Sequence, residues 1–111
     1  MSAYVPDRGD LVWIDFDPQV GREQRGRRPA VVLSPRRYNE KSSLALTCPV
    51  TSKPKGYPFE VPLPDGLEIE GVVLADQLRS LDYRGRRASF VASLPRQTCN
   101  EILGRAKALL A

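Results

Sequence analysis

Apolar and polar positions alternate along this chain in short stretches separated by proline and glycine. In "DLVWIDF" (10–16), Leu11, Trp13 and Asp15 fall on one side of an extended backbone, and Val12, Ile14 and Phe16 on the other. "PAVVLSP" (29–35) is a β-branched run bounded by prolines, and "SLALTCPV" (43–50) reads as a third strand. "YPFEVPL" (57–63) contains Pro58 and Pro62, which donate nothing to a ladder, so it is expected at a sheet edge. "GVVLADQLRSL" (71–81) starts as a strand after the turn-rich "PDGLEIEG", and "ASFVASL" (88–94) is the last strand of the series. Short strands at this spacing predict a mainly β fold, a small barrel or sandwich.

The period changes near the C-terminus. Cys99, Ile102, Leu103, Ala106, Leu109 and Leu110 recur at offsets of three and four, which defines one face of a helix. Ser93 is the expected cap, with Pro95 in the first turn. The 111 residues suffice for one domain, 1–111, around one core. No apolar run approaches the roughly 18 residues of a membrane span. "MSAYVPDRGD" lacks the basic and apolar regions of a signal peptide, so a cytoplasmic location without membrane association is expected.

Charge sharpens this picture. The chain carries a net +4, unevenly distributed. Residues 21–41 hold seven basic side chains against Glu23 and Glu40, and residues 79–87 hold four arginines against Asp82. The rest is net negative. Two cationic blocks on a mildly acidic background form a footprint for a polyanion or an acidic protein partner. There is no histidine, and the only cysteines are Cys48 and Cys99, both with apolar neighbours. That inventory argues against a zinc site of nitrogen and sulfur ligands and suggests buried thiols. It also removes the usual general base at neutral pH, so acid–base chemistry would fall to carboxylates, hydroxyls, lysines or the substrate itself.

The connection "DPQVGREQRGRR" (17–28) is long for a small barrel and crowded with arginine. Arg25 and Arg27 are candidates for phosphate contacts. Arg28, at a strand entrance, can be aimed; its guanidinium binds phosphate bidentately and stabilises an anionic transition state. Glu23 can take a proton or hold one of the arginines. In "TCPVTSKPKG" (47–56), the Thr51 hydroxyl at a strand end can donate to a phosphate oxygen, and Lys53 and Lys55 add charge. Arginine, threonine and glutamate together suit phosphoryl transfer in RNA with the 2′-OH as nucleophile. Trp13 and Tyr83 are the aromatic candidates for stacking on unpaired bases.

The segments "GDLVWIDFDPQVGREQRGRRPAVVLSP", "YN", "CPVTSKPKGYPFEV" and "GVVLADQLRSLDYR", in this order and spacing, resemble the MazF/PemK family of toxin endoribonucleases. The resemblance implies a small SH3-like antiparallel β-barrel of the CcdB/PemK type with a C-terminal α-helix. It implies a homodimer that cleaves single-stranded RNA, mainly mRNA, at short sequences without metal or cofactor. The ends would be a 2′,3′-cyclic phosphate and a 5′-OH. It also implies a cognate acidic antitoxin of the MazE kind. By position, Arg28 and Thr51 match the family's catalytic arginine and threonine, and Glu23 a glutamate implicated in activity. Gln77, Arg79 and Arg84 fall in the segment bordering the RNA groove. Some relatives carry histidine where this chain has Arg27, so the general base is Glu23 or water, or charge stabilisation dominates. Two other readings are a gyrase-poison-like binding module and a non-catalytic RNA binder. Gyrase poisons place an aromatic anchor at the C-terminal end; this chain ends in "KALLA".

Overall fold

β1 (Asp10–Asp15) forms the spine of the sheet, with one cluster of buried side chains on each of its faces. In the computed structural model, which describes residues 3–16 and 27–111, it pairs antiparallel with β2 (Arg27–Val32) on one side and β7 (Ser89–Ser93) on the other. The two faces are those the alternation predicts. Leu11 and Trp13 join one cluster; Val12, Ile14 and Phe16 join the second.

β2 passes through helix α1 (Arg36–Ser42) to β3 (Ala45–Thr51). β3 is the branch point of the sheet. It pairs with β2 along one edge, while its other edge takes β6 (Arg79–Leu81) near the start and β5 (Val72–Leu74) near the end. β4 (Glu60–Pro62) adds to β5 and closes the order β4-β5-β3-β2-β1-β7. All pairings are antiparallel. β4 occupies an edge, as its prolines require. The arrangement is barrel-like, but no ladder between β4 and β7 closes it among the described residues.

Helix α2 (Arg96–Ala108) covers one face of the sheet with Ile102 and Ala106, and it also buries Cys99. Complete burial of Ile102 contributes about 1.5–3 kcal/mol. Three local expectations change here. Ser93 does not cap α2: it ends β7 opposite Asp10, and Pro95 is the N-cap without a side-chain hydrogen bond. Leu109 and Leu110 lie beyond the helix and are exposed. Residues 71–81 form two strands, separated by a turn in which the Gln77 N–H donates to the Leu74 carbonyl.

Helix α1 has no apolar stripe. It is held instead by a buried polar knot. Asn39 donates to the carbonyls of Pro6 (2.8 Å) and Ser34 (3.0 Å) and accepts from the Ser34 hydroxyl. The Tyr83 hydroxyl donates to the Asn39 carbonyl at 2.9 Å. Both free cysteines are buried. No helix among the described residues is long and apolar enough to cross a membrane.

Candidate active site

Three neighbouring strands bring their ends to one groove of about 510 Å³. β1 supplies Trp13, β2 supplies Arg28 and Pro29, and β3 supplies Val50 and Thr51, continued by Ser52 and Lys53. The register explains the meeting. Trp13 stands opposite Pro29 and Ile14 opposite Arg28. In the β2–β3 ladder Ala30 is opposite Pro49, and just beyond that pair Arg28 of β2 and Thr51 of β3 both line the groove. Pro29 holds the preceding Arg28 in extended backbone, which aims its side chain.

The two polar groups are poised differently. Arg28 is exposed and has no hydrogen-bond or ion-pair partner among the described residues. Thr51 is half-buried, and its Oγ1 accepts the Lys53 N–H at 3.1 Å. That bond turns the acceptor side of the hydroxyl toward the following loop. The O–H then has no acceptor among the described residues, and it can donate to an oxygen in the groove. A cation and an oriented donor lining one groove can cradle a phosphate.

Glycine brings the far wall in close. A Cβ on Gly71 would lie 2.9 Å from the carbonyl carbon of Thr51 and 3.2 Å from Cα of Ser52, nearer still to the Thr51 oxygen. Gly71 also has a φ of +140°, where other residues are strained. The segment before it therefore packs against the Thr51 backbone and adds Glu68, Ile69 and Glu70 to the groove. The two glutamates have no counterpart in the sequence reading, where "PDGLEIEG" is only a turn. The polar–apolar–polar order of Glu68, Ile69 and Glu70 before Gly71 is the sequence signal that could have found them.

The other expected site residues divide. Lys53 lines the groove. Arg27 does not: its guanidinium pairs with Asp15 at 3.2 Å and donates to the Arg87 carbonyl at 2.8 Å and the Ser89 hydroxyl at 3.0 Å. It braces β1, β2 and β7. Asp15 also accepts from Arg87 at 2.7 Å, and these bonds, Arg87 first, hold its carboxyl below the usual range. Lys55 lies outside the groove; its N–H donates to the Glu60 carboxylate. Gln77 sits in the β5–β6 turn. Arg79 stacks over Phe16, 5.4 Å from the ring centre, and Arg84 over Tyr83 at 5.7 Å. Both arginines are exposed cations outside the groove. Tyr83 is buried in the core, which removes it as a stacking surface, whereas Trp13 is half-buried at the groove. Glu23 and Arg25 lie outside the described residues.

A sequence model of PemK-like, MazF-like toxins of type II toxin–antitoxin systems matches residues 7–110. The chain belongs to this family. It is 57% identical over 89 residues to the endoribonuclease toxin MazF of Escherichia coli K12, covering 80% of this chain and 79% of that one. The crystal structure of MazF from Deinococcus radiodurans superposes with a TM-score of 0.88 at 56% identity, covering 97% of this chain and 98% of the other. A MazE–MazF structure from the same organism gives 0.87 at 51% identity, covering 98% of each. These likenesses span both edges of the sheet and α2, so the groove is built from shared elements.

Proposed function

We propose that this protein is the toxin of a type II toxin–antitoxin pair, a cytoplasmic endoribonuclease that cuts single-stranded mRNA at a short sequence and thereby stops translation and growth. The observation that supports the reading is that Arg28 and Thr51 line the same open groove. Relatives named as endoribonuclease MazF support the reaction class.

In the reaction the ribose 2′-oxygen attacks the adjacent phosphorus, the bond to the 5′-oxygen of the next nucleotide breaks, and a 2′,3′-cyclic phosphate and a 5′-OH result. Negative charge grows on the non-bridging oxygens. Arg28, charged at every relevant pH, meets that charge, and the Thr51 O–H donates to one of the same oxygens. The cation at the phosphate thus comes from the protein, and the proposed reaction is metal-independent. The 2′-OH proton passes to Glu23 or water, and the departing 5′-oxygen takes a proton from water. Lys53, Arg79 and Arg84, with Arg25, attract the strand; Arg27 acts by holding β2 in place. The protein works as a homodimer, and an acidic MazE-like antitoxin neutralises the cationic surface, by analogy with the MazE–MazF structures.

The test uses a long unstructured RNA, EDTA and purified protein, with the end groups of each fragment identified. Cuts at one short motif ending in cyclic phosphate are expected. A folded protein that cuts none of several RNAs, or leaves 5′-phosphates, overturns the reading.

A further inference from the structure

Two carboxylates line a groove that otherwise suits a polyanion. Glu68 and Glu70 share it with Trp13, Arg28, Thr51 and Lys53. Phosphate attraction does not explain them, since at short range a carboxylate repels phosphate. Among the described residues neither glutamate forms an ion pair with any cation, Arg28 and Lys53 included. Both are exposed, yet their backbone is anchored. Ile69 between them is buried in the core, the Leu63 N–H donates to the Gly71 carbonyl at 3.0 Å, and Gly71 packs on Thr51. Two anchored acceptors therefore stand beside the phosphate cradle.

In single-stranded RNA, the donors that can satisfy such acceptors are the ribose 2′-OH groups and the base N–H groups, and only the base N–H groups differ from one nucleotide to the next. Cytosine offers N4, adenine N6, and guanine the N1–N2 pair. Uracil offers one N–H between two carbonyls, whose oxygens repel a carboxylate. Trp13, half-buried in the same groove, supplies a face on which a base can stack. We propose that Glu68 and Glu70 form the base-reading wall of the groove, accepting hydrogen bonds from an amino-bearing base beside the cleaved phosphate and rejecting uracil there. This rests on the endoribonuclease reading and adds a determinant of its specificity.

The experiment is cleavage of a randomised single-stranded RNA pool by wild type, Glu68→Gln, Glu70→Gln and the double variant, with cut sites sequenced. A glutamine amide donates as well as accepts, so it can pair with uracil. Both positions are exposed, so thermal unfolding within a few degrees of wild type is expected and is checked first. Wild type should disfavour uracil at one position by about tenfold or more. The double variant should reduce that bias to below about threefold and leave the other positions unchanged. A motif unchanged in the variants, with or without a uniform loss of rate, overturns the base-reading role. So does a wild-type motif with no bias against uracil at any position. Failure of folded wild type to cut any RNA instead removes the endoribonuclease reading, and this inference with it.

Discussion

Replacing Gly71 with alanine should damage stability and cleavage together. The new Cβ would meet the Thr51 and Ser52 backbone at 2.9 and 3.2 Å, closer than such atoms normally approach. No flexible side-chain end is there to move aside. An L-residue at a φ of +140° adds backbone strain of about 1–3 kcal/mol. Overpacking against fixed backbone adds about 1–3 kcal/mol more, for a total of about 2–6 kcal/mol. Gly66 provides the control. Its φ is +92°, but a Cβ there would meet nothing within 4 Å. Gly66→Ala therefore carries strain without collision, about 1–2 kcal/mol. Urea unfolding of the two variants beside wild type measures the difference, and single-turnover cleavage by the folded fraction tests whether Thr51 has been displaced. If Gly71→Ala costs no more than Gly66→Ala, the close approach does not hold the groove together.

Asn39→Ala should destabilise the protein by about 2–4 kcal/mol in urea unfolding, because it strands the Pro6 and Ser34 carbonyls in the core. Asp15 titrates below the ordinary carboxylate range when folded, so its contribution is present above about pH 4 and is lost as pH falls through the folded value. Asp15→Asn should flatten the acid limb of the stability profile and lower stability at pH 7; an unchanged acid limb would contradict the pairing with Arg87 and Arg27. Burial pushes the Cys48 thiol up to about 12, so iodoacetamide at pH 8 should leave it unmodified in the folded protein and alkylate it in urea, as read by mass spectrometry.

The sequence is legible where burial imposes a period. β1 reads correctly on both faces because each side chain from Leu11 to Ile14 contacts one core or the other. β4 reads as an edge because Pro62 lacks an N–H. α1 is missed because "RRYNEKS" is polar around the helix and buries only Asn39. The break between β5 and β6 is missed because one strand, β3, receives both at different points along its length, and only tertiary pairing shows that. At the site, Arg28, Thr51 and Lys53 are legible from their places at strand ends. Composition cannot separate Arg27 from Arg28; the register does, by placing Arg27 opposite Asp15. Glu68 and Glu70 reach the groove through a long-range approach of Gly71 to Thr51, which leaves in the sequence only a short polar–apolar–polar alternation ahead of a glycine.

The central claim is that Arg28 acts on the phosphate in the transition state. Its most direct test is the single-turnover cleavage rate of Arg28→Ala beside wild type, with RNA affinity measured separately. A rate lower by about 10²–10³, with affinity changed by less than about tenfold, is the predicted result. Cleavage by Arg28→Ala at the wild-type rate would contradict the account and move the reacting phosphate elsewhere on the protein.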